Sequence, residues 1–305
     1  MKLQKFQNYF FILPVATSIM AIIAIMVWGL QLGIDLKGGS FLQVSYEGER
    51  PALALVQEKV ENLGFGAVII QPTNEKDFIL RQRELSTDEK KTLDETLSSF
   101  GKVNEVQFNS VGPSIGSELM QKAWWAIGMI TVLTILFIAF AFRGVSVPVS
   151  SWKYGVVAIV TLLHDILIPT GLFAYFGHTR GAEVDALFIV AILTILGISI
   201  NDTIVVFDRI RENLNLNIAK KVVQPFSDVV WHSVMQTLTR SINTSVTVIV
   251  MLLALFFVGP ESTKDFSLTL LVGMIVGTYS SIFLASPLLI LTEKYQKPSL
   301  VAETK

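Results

Sequence analysis

Long apolar runs dominate the chain, and one polar stretch interrupts them. A bilayer-spanning helix needs about 20 mostly apolar residues. Six stretches meet that length, at about 9–29, 123–142, 154–176, 186–207, 234–259 and 266–292. The pattern between the first two is different. Residues 40–47, SFLQVSYE, alternate as a strand does, and residues 51–63 carry apolar side chains at helical spacing. Residues 67–72 and 77–85 read as two strands around a turn at Thr73–Lys76. Ser86 followed by Glu89 is a capping box, which starts a helix running to about Ser99. Residues 103–109, VNEVQFN, read as the last strand. The order β-α-β-β-α-β is that of a ferredoxin-like α+β domain.

The expected organisation is therefore a cytoplasmic N-terminus and first span (1–29), an extracytoplasmic α+β domain with its connectors (30–122), a five-helix bundle (123–292) and a cytoplasmic tail (293–305). The first apolar run is long and lacks a small-residue cleavage site, so it reads as a retained anchor rather than a signal peptide. Charge follows the same division. Residues 30–122 hold 10 Lys/Arg and 14 Asp/Glu, while only 16% of the whole chain is charged. Lys2, Lys5, Arg143, Lys153, Arg209, Arg211, Lys220, Lys221, Lys294, Lys297 and Lys305 all fall on one side of the six-span layout. By the positive-inside rule that side is the cytoplasm, with both termini in it.

Composition excludes several classes. There is no cysteine, which rules out disulfide scaffolds, Cys-ligated zinc and iron–sulfur clusters. The three histidines are scattered, and the net charge of −1 gives no field for nucleic acid. No P-loop or HExxH pattern is present, and no covalent catalyst, metal or cofactor is expected.

Charge inside apolar helices is rare and marks function. Asp202 lies about five residues from the inner end of the fourth span, and Arg240 about six from that of the fifth. At about 1.5 Å per residue both sit roughly 8–9 Å inside the core. Two readings follow: an ion relay, or a static pair joining two helices. Asn201 flanks the carboxylate. A stripe of Ser233, Thr237, Arg240, Thr244 and Thr247, with Asn243 beside it, can line a wet path or bond helices together. His164 and Asp165 in the third span admit a proton-relay role, a helix–helix hydrogen bond, or a misplaced span end. Gly273 and Gly277, followed by Ser280 and Ser281, form a small-residue packing face. Residues 209–221, RIRENLNLNIAKK, read as an interfacial segment with a possible docking role, and His232 as an ordinary interfacial residue.

Four ordered motifs then carry a resemblance. Gly33–Gly39, GIDLKGG, resembles the GIDLxGG motif that follows the first helix in the SecD/SecF family. Val111–Leu119, VGPSIGSEL, resembles the segment leading into the second helix on the SecF side of that family. Residues 197–213, GISINDTIVVFDRIREN, and residues 238–245, LTRSINTS, resemble its fourth- and fifth-helix signatures. The likeness spans about residues 10–290. Leu36, Ser241 and Ile242 are its modest departures.

The resemblance implies a bacterial inner-membrane subunit, related to RND-type transporters, that uses an ion gradient to assist protein export after the SecA-driven step. It implies as partners SecD, the SecYEG channel, other Sec membrane proteins and the preprotein. It also places Asp202 and Arg240 at the family's essential membrane charges. Gly33, Asp35, Gly38, Gly39, Gly112, Pro113 and Gly116 belong to the motifs flanking the outer domain. They read either as hinges or as tight connectors, with Asp35 capping or pairing locally. A small-molecule exporter and a scaffold without ion coupling are the rival functions.

Overall fold

The structure is a computed structural model that describes residues 11–141 and 149–294. Lys2, Lys5, Arg143, Lys297 and Lys305 lie outside the described residues. The chain divides into two compact units. The first comprises residues 1–31, 125–182 and 187–305, and the second residues 32–124 and 183–186.

The second unit opens with a single helical turn, Ile34–Lys37, and continues as β1 (Gly39–Tyr46), α2 (Leu53–Glu61), β2 (Ile69–Thr73), β3 (Asp77–Gln82), α3 (Thr87–Ser98) and β4 (Val103–Val111); α1 (Ile12–Trp28) belongs to the other unit. The four strands form one sheet in the order β2-β3-β1-β4, with all pairs antiparallel. The alternation in β1 explains its central place. Leu42, Val44 and Tyr46 point to one face and are buried there with Phe78 and Leu80 of β3. Val56 and Val60 from α2, and Leu93 and Leu97 from α3, close the same core. Burying each such aliphatic side chain contributes about 1.5–3 kcal/mol. The Tyr46 hydroxyl stays satisfied inside by donating to the Leu97 carbonyl at 3.1 Å.

The capping box forms as the sequence predicts. Glu89 N donates to Ser86 Oγ at 3.3 Å, and Ser86 N to Glu89 Oε2 at 2.9 Å. Hydrogen bonds from Arg83, then from the Ser86 backbone, hold the Glu89 carboxyl down at about 2, against an ordinary 4.5. A depressed carboxyl gives stability that is present above its unfolded value and lost as pH falls through the folded one. The isolated α/β unit is therefore expected to weaken between about pH 4.5 and 2, and Glu89→Gln to flatten that part of an acid-unfolding curve. Equal acid slopes for the two proteins would remove Glu89 as the cause.

Residues 39–112 hold all four strands, both helices and their core. Expressed alone, this segment is expected to be soluble with mixed α/β circular dichroism. A helical or disordered spectrum would show that the core needs the rest of the chain.

The first unit is helical. It contains α1 (Ile12–Trp28), most of α4 (Pro113–Ala141), α5 (Ser151–Arg180), α6 (Ala186–Ala219), α7 (Phe226–Val258) and α8 (Lys264–Ser280). A π-helical segment, Ser281–Ala285, joins α8 to α9 (Ser286–Lys294). Five of these helices are long and apolar enough to cross a membrane, the fifth being the continuous run Lys264–Glu293; α1 is a shorter apolar helix of 17 residues. Close approach holds the bundle. A Cβ on Gly171 of α5 would fall 2.5 Å from Ala21 Cα of α1, and one on Gly273 of α8 would fall 2.2 Å from Ile195 Cδ1 of α6. Without a hydrophobic drive between helices in lipid, such small-residue contacts supply the packing.

Two boundaries differ from the sequence reading. Pro113 starts α4 about ten residues before the apolar run, because proline suits a helix's first turn. The segment from Arg209 is helical and continues α6 without a break to Ala219, so that helix ends about twelve residues beyond the apolar run.

Candidate functional site

Asp202 lies on α6, half-buried, and its Oδ1 accepts from Ser241 Oγ of α7 at 2.9 Å. Beside it is a cavity of about 100 Å³ whose lining includes Asn201, Thr244, Ser245, Gly277 and Thr278. In its lining, Ser245 Oγ and Thr278 Oγ1 sit 2.7 Å apart. Gly277 packs on Ser199 of α6, with room for no more than a tight Cβ contact at 3.2 Å, and this brings α8 close to the carboxylate.

Arg240 neighbours Ser241 and acts electrostatically on Asp202, yet the two form no ion pair among the described residues. The guanidinium is exposed, as are Asn201, Asn243, Thr244 and Thr247. The polar stripe read from the sequence divides in two. Ser233 and Thr237 join Ser241 and Ser245 in a buried seam at i+4 spacing, while Arg240, Asn243, Thr244 and Thr247 turn to the outer face of the helix. The seam follows the bundle's core because every fourth residue lies on one face.

His164 and Asp165 are buried on α5. Their side chains meet at 2.8 Å, and Asp165 Oδ2 also accepts from Ser280 Oγ at 2.8 Å and from Ser199 Oγ. Both residues sit inside the helix, so the reading of a misplaced span end is set aside. His232 is exposed and bonds Gln236 at 2.9 Å.

The motif glycines gather at one joint in the α/β unit. Gly33 N donates to the Val184 carbonyl at 2.9 Å, and Asp35 Oδ2 accepts from Ala186 N at 3.2 Å, the first residue of α6. Arg81 pairs with Glu183 at 3.1 Å. Burial pushes the Glu183 carboxyl up, and Arg81 and Lys37 counter it. Gly38 has a φ of 82°. A Cβ there would fall 2.6 Å from Pro113 Cα, and one on Gly116 would fall 2.7 Å from Gly38 N. Gly39 lies against the Gln82 carbonyl, and Gly112 beside the Glu84 carboxylate. The two connectors thus cross in backbone contact.

Nothing in the sequence alone marks the serines that serve the carboxylates as their partners. Ser241 and Ser245 continue the i+4 series of Ser233 and Thr237, and that was the available signal. Ser199 and Tyr279 carried none. Among the described residues no group of three or more His, Asp or Glu side chains could hold a metal ion.

Residues 91–295 match the family model described as protein export membrane protein SecD/SecF, C-terminal. The chain belongs to the SecD/SecF family. It is similar to the protein translocase subunit SecF of Thermobaculum terrenum, with 42% identity over 94% of this chain and 92% of that one. It is 39% identical to the SecF subunit of Anaerolinea thermophila, over 93% and 91% of the two chains. The protein translocase subunit SecDF of Bacillus subtilis is 34% identical over 92% of this chain but only 36% of its own length. Among solved structures, SecDF from Thermus thermophilus, titled a translocon-associated membrane protein, matches with a TM-score of 0.81 at 30% identity. That match covers 97% of this chain and 39% of the SecDF chain. As a SecD/SecF-family member aligned nearly end to end with separate SecF subunits, the chain is a translocase subunit of the SecF type and not an enzyme. In the SecDF relatives the matching region is one part of a longer chain, so its association is with a SecD-type part.

Proposed function

We propose that the chain couples an ion gradient to protein export, with Asp202 as the group that gains and loses the ion and Arg240 as the cation that tunes it. The observation that carries this reading is Asp202 itself. It is a half-buried carboxylate in an apolar helix, with a small, mostly apolar cavity beside it and no ion-pair partner among the described residues. A static pair would place Arg240 against the carboxylate. Instead the cation stands off, where a small helix movement changes its pull. The exposed Arg240, Asn243 and Thr247 cannot face lipid cheaply. They suit a polar seam against a SecD-type bundle of similar architecture, itself linked to SecYEG and the preprotein.

In this reading the chain crosses the membrane six times, α1 supplying the first crossing, with both termini cytoplasmic. The α/β unit is a ferredoxin-like domain on the outer side; its support is the sheet order β2-β3-β1-β4 with two helices on one face. The joint built on Gly33, Asp35, Gly38, Gly39, Gly112, Pro113 and Gly116 links that domain to the spans and passes motion to it. Gly273 and Gly277 hold α8 close to α6. The alternative, an exporter of small molecules, is disfavoured by a single outer domain of about 90 residues. The test is preprotein translocation into energised inverted vesicles containing the chain and its SecD-type partner. An ionophore is expected to remove the stimulation. Stimulation that survives the ionophore would refute ion coupling.

A further inference from the structure

The Asp202 reading gives no role to the cluster around His164. Asp165 is completely buried, and three donors converge on it. His164 Nδ1 lies 2.8 Å from Oδ1, while Ser280 and Ser199 donate to Oδ2. On the other side of the ring, His164 Nε2 lies 2.9 Å from the Tyr279 hydroxyl, which is 3.4 Å from Thr17 Oγ1. Side chains from α1, α5, α6 and α8 thus make one continuous chain of proton-carrying groups.

We propose that His164, Asp165 and Tyr279 form a second proton-binding site, distinct from Asp202, that takes up one proton on His164 Nε2. The proposal rests on the ion-driven reading above and extends it to a two-site relay. Its ground is that every polar group keeps a partner in both protonation states. With the ring neutral, Nδ1–H donates to Asp165 and Nε2 accepts the Tyr279 O–H. After uptake, Nε2–H donates to the Tyr279 oxygen, and the tyrosine proton turns to Thr17 Oγ1. Thr17 can accept it because its own proton points to the Leu13 and Pro14 carbonyls, 2.8 and 3.1 Å away. No bond other than the new N–H forms, and only one hydroxyl rotates. The cluster's formal charge goes from −1 to 0. An isolated buried carboxylate is costly in a low-dielectric setting, so a proton held beside it has a physical reason to stay.

The charges around the site are few. On α5 itself the nearest other titratable residues are Tyr154 and Lys153 on one side and Tyr175 on the other, each about three turns away, with His178 and Arg180 beyond Tyr175. α1 carries no charged residue between Ile12 and Trp28, and none occurs from Phe266 to Thr292 across α8, the π segment and α9. α6 contributes Asp202, one turn beyond Ser199. α7 contributes Arg240, beside the Ser241 that bonds Asp202. Ionised Asp202 favours a proton on His164, and Arg240 opposes it. Loading Asp202 therefore loosens the proton on His164, which lets the two sites exchange. Ser280, the Asp165 donor, immediately precedes the π segment, where α8 changes its winding. Such segments recur at functional sites.

The test uses the full chain labelled with nitrogen-15 histidine in lipid nanodiscs. His178 and His232 are replaced by Gln, which leaves His164 as the only histidine. The ring nitrogens are expected to pass from the neutral Nδ1–H tautomer to the imidazolium in a single one-proton transition. Asp202→Asn, which removes the negative charge one turn from Ser199, is expected to move the midpoint to lower pH. Tyr279→Phe, which keeps the ring's packing but removes the hydroxyl that receives Nε2–H, is expected to lower it too. A ring fixed in one protonation state across the range of stability would overturn the proposal, leaving a structural hydrogen bond between helices. A midpoint unmoved by Asp202→Asn would overturn the coupling. Failure of the Asp202 reading shows separately, as Asp202→Asn chains that still export in the energised vesicles.

Discussion

Asp202→Asn is expected to abolish the gradient-dependent part of preprotein translocation while leaving the chain folded and bound to its SecD-type partner. The substitution keeps shape and an oxygen at Oδ1, so the bond donated by Ser241 at 2.9 Å has an acceptor in the variant as well. What disappears is the charge and the ability to carry a proton. The membrane potential acts on charge alone, at about 2.3 kcal/mol per elementary charge per 100 mV. With no group changing charge at this position, that energy has nothing to act on, and the loss should be complete rather than graded. Arg240→Lys should give an intermediate defect. It keeps the positive charge but replaces a planar fork with a point donor. The measurement is translocation into energised inverted vesicles, with and without ionophore, alongside co-purification with the partner. If Asp202→Asn stimulates export as the parent does, and loses that stimulation to ionophore equally, the relay does not run through Asp202.

Much of the fold was legible because it is locally encoded. Alternation over SFLQVSYE gave β1, and Ser86 with Glu89 gave the start of α3. The long apolar runs gave α5 to α8, since hydrocarbon thickness fixes their length. Ends were less legible, because hydropathy marks only the apolar part of a helix. Thus α4 begins at Pro113 and α6 runs on to Ala219, through residues whose helicity comes from propensity and capping. Asp202 and Arg240 stood out as charges in apolar surroundings. Their actual relation did not, because it depends on how α6 and α7 are rotated against each other. Ser241 takes the place facing Asp202, and Arg240, one residue before it, necessarily points elsewhere. The same holds for Asp165. Serine is unremarkable in a membrane helix, and Ser199 and Ser280 acquire meaning only when two distant helices bring them to one oxygen.

The glycine joint gives the second large expected effect. Gly38→Ala should destabilise the full chain by about 2–5 kcal/mol, from two separate causes. A residue with a Cβ at the observed φ of 82° pays about 1–2 kcal/mol for the left-handed region. Forcing extra volume into a packed site costs about 1–3 kcal/mol more. Here the obstruction is backbone, with Pro113 Cα at 2.6 Å and Pro113 N at 2.8 Å from the added carbon, so no side-chain rotation relieves it. Relief requires β1's entry strand and the start of α4 to separate. Gly116 forbids the reverse adjustment, since it is itself pressed on Gly38 N and the Leu36 carbonyl. Gly128 is the control. It lies inside α4 with nothing within 4 Å of an added Cβ, so Gly128→Ala should be neutral or stabilising by up to about 1 kcal/mol. Thermal unfolding of the detergent-solubilised chain, followed by proteolysis of the α/β unit, reads the contrast. Equal midpoints for Gly38→Ala and Gly128→Ala would mean that the two connectors are not in backbone contact. A chain in which Gly38→Ala unfolds like the parent yet fails to support export would instead locate the glycine's role in motion of the joint rather than in its packing.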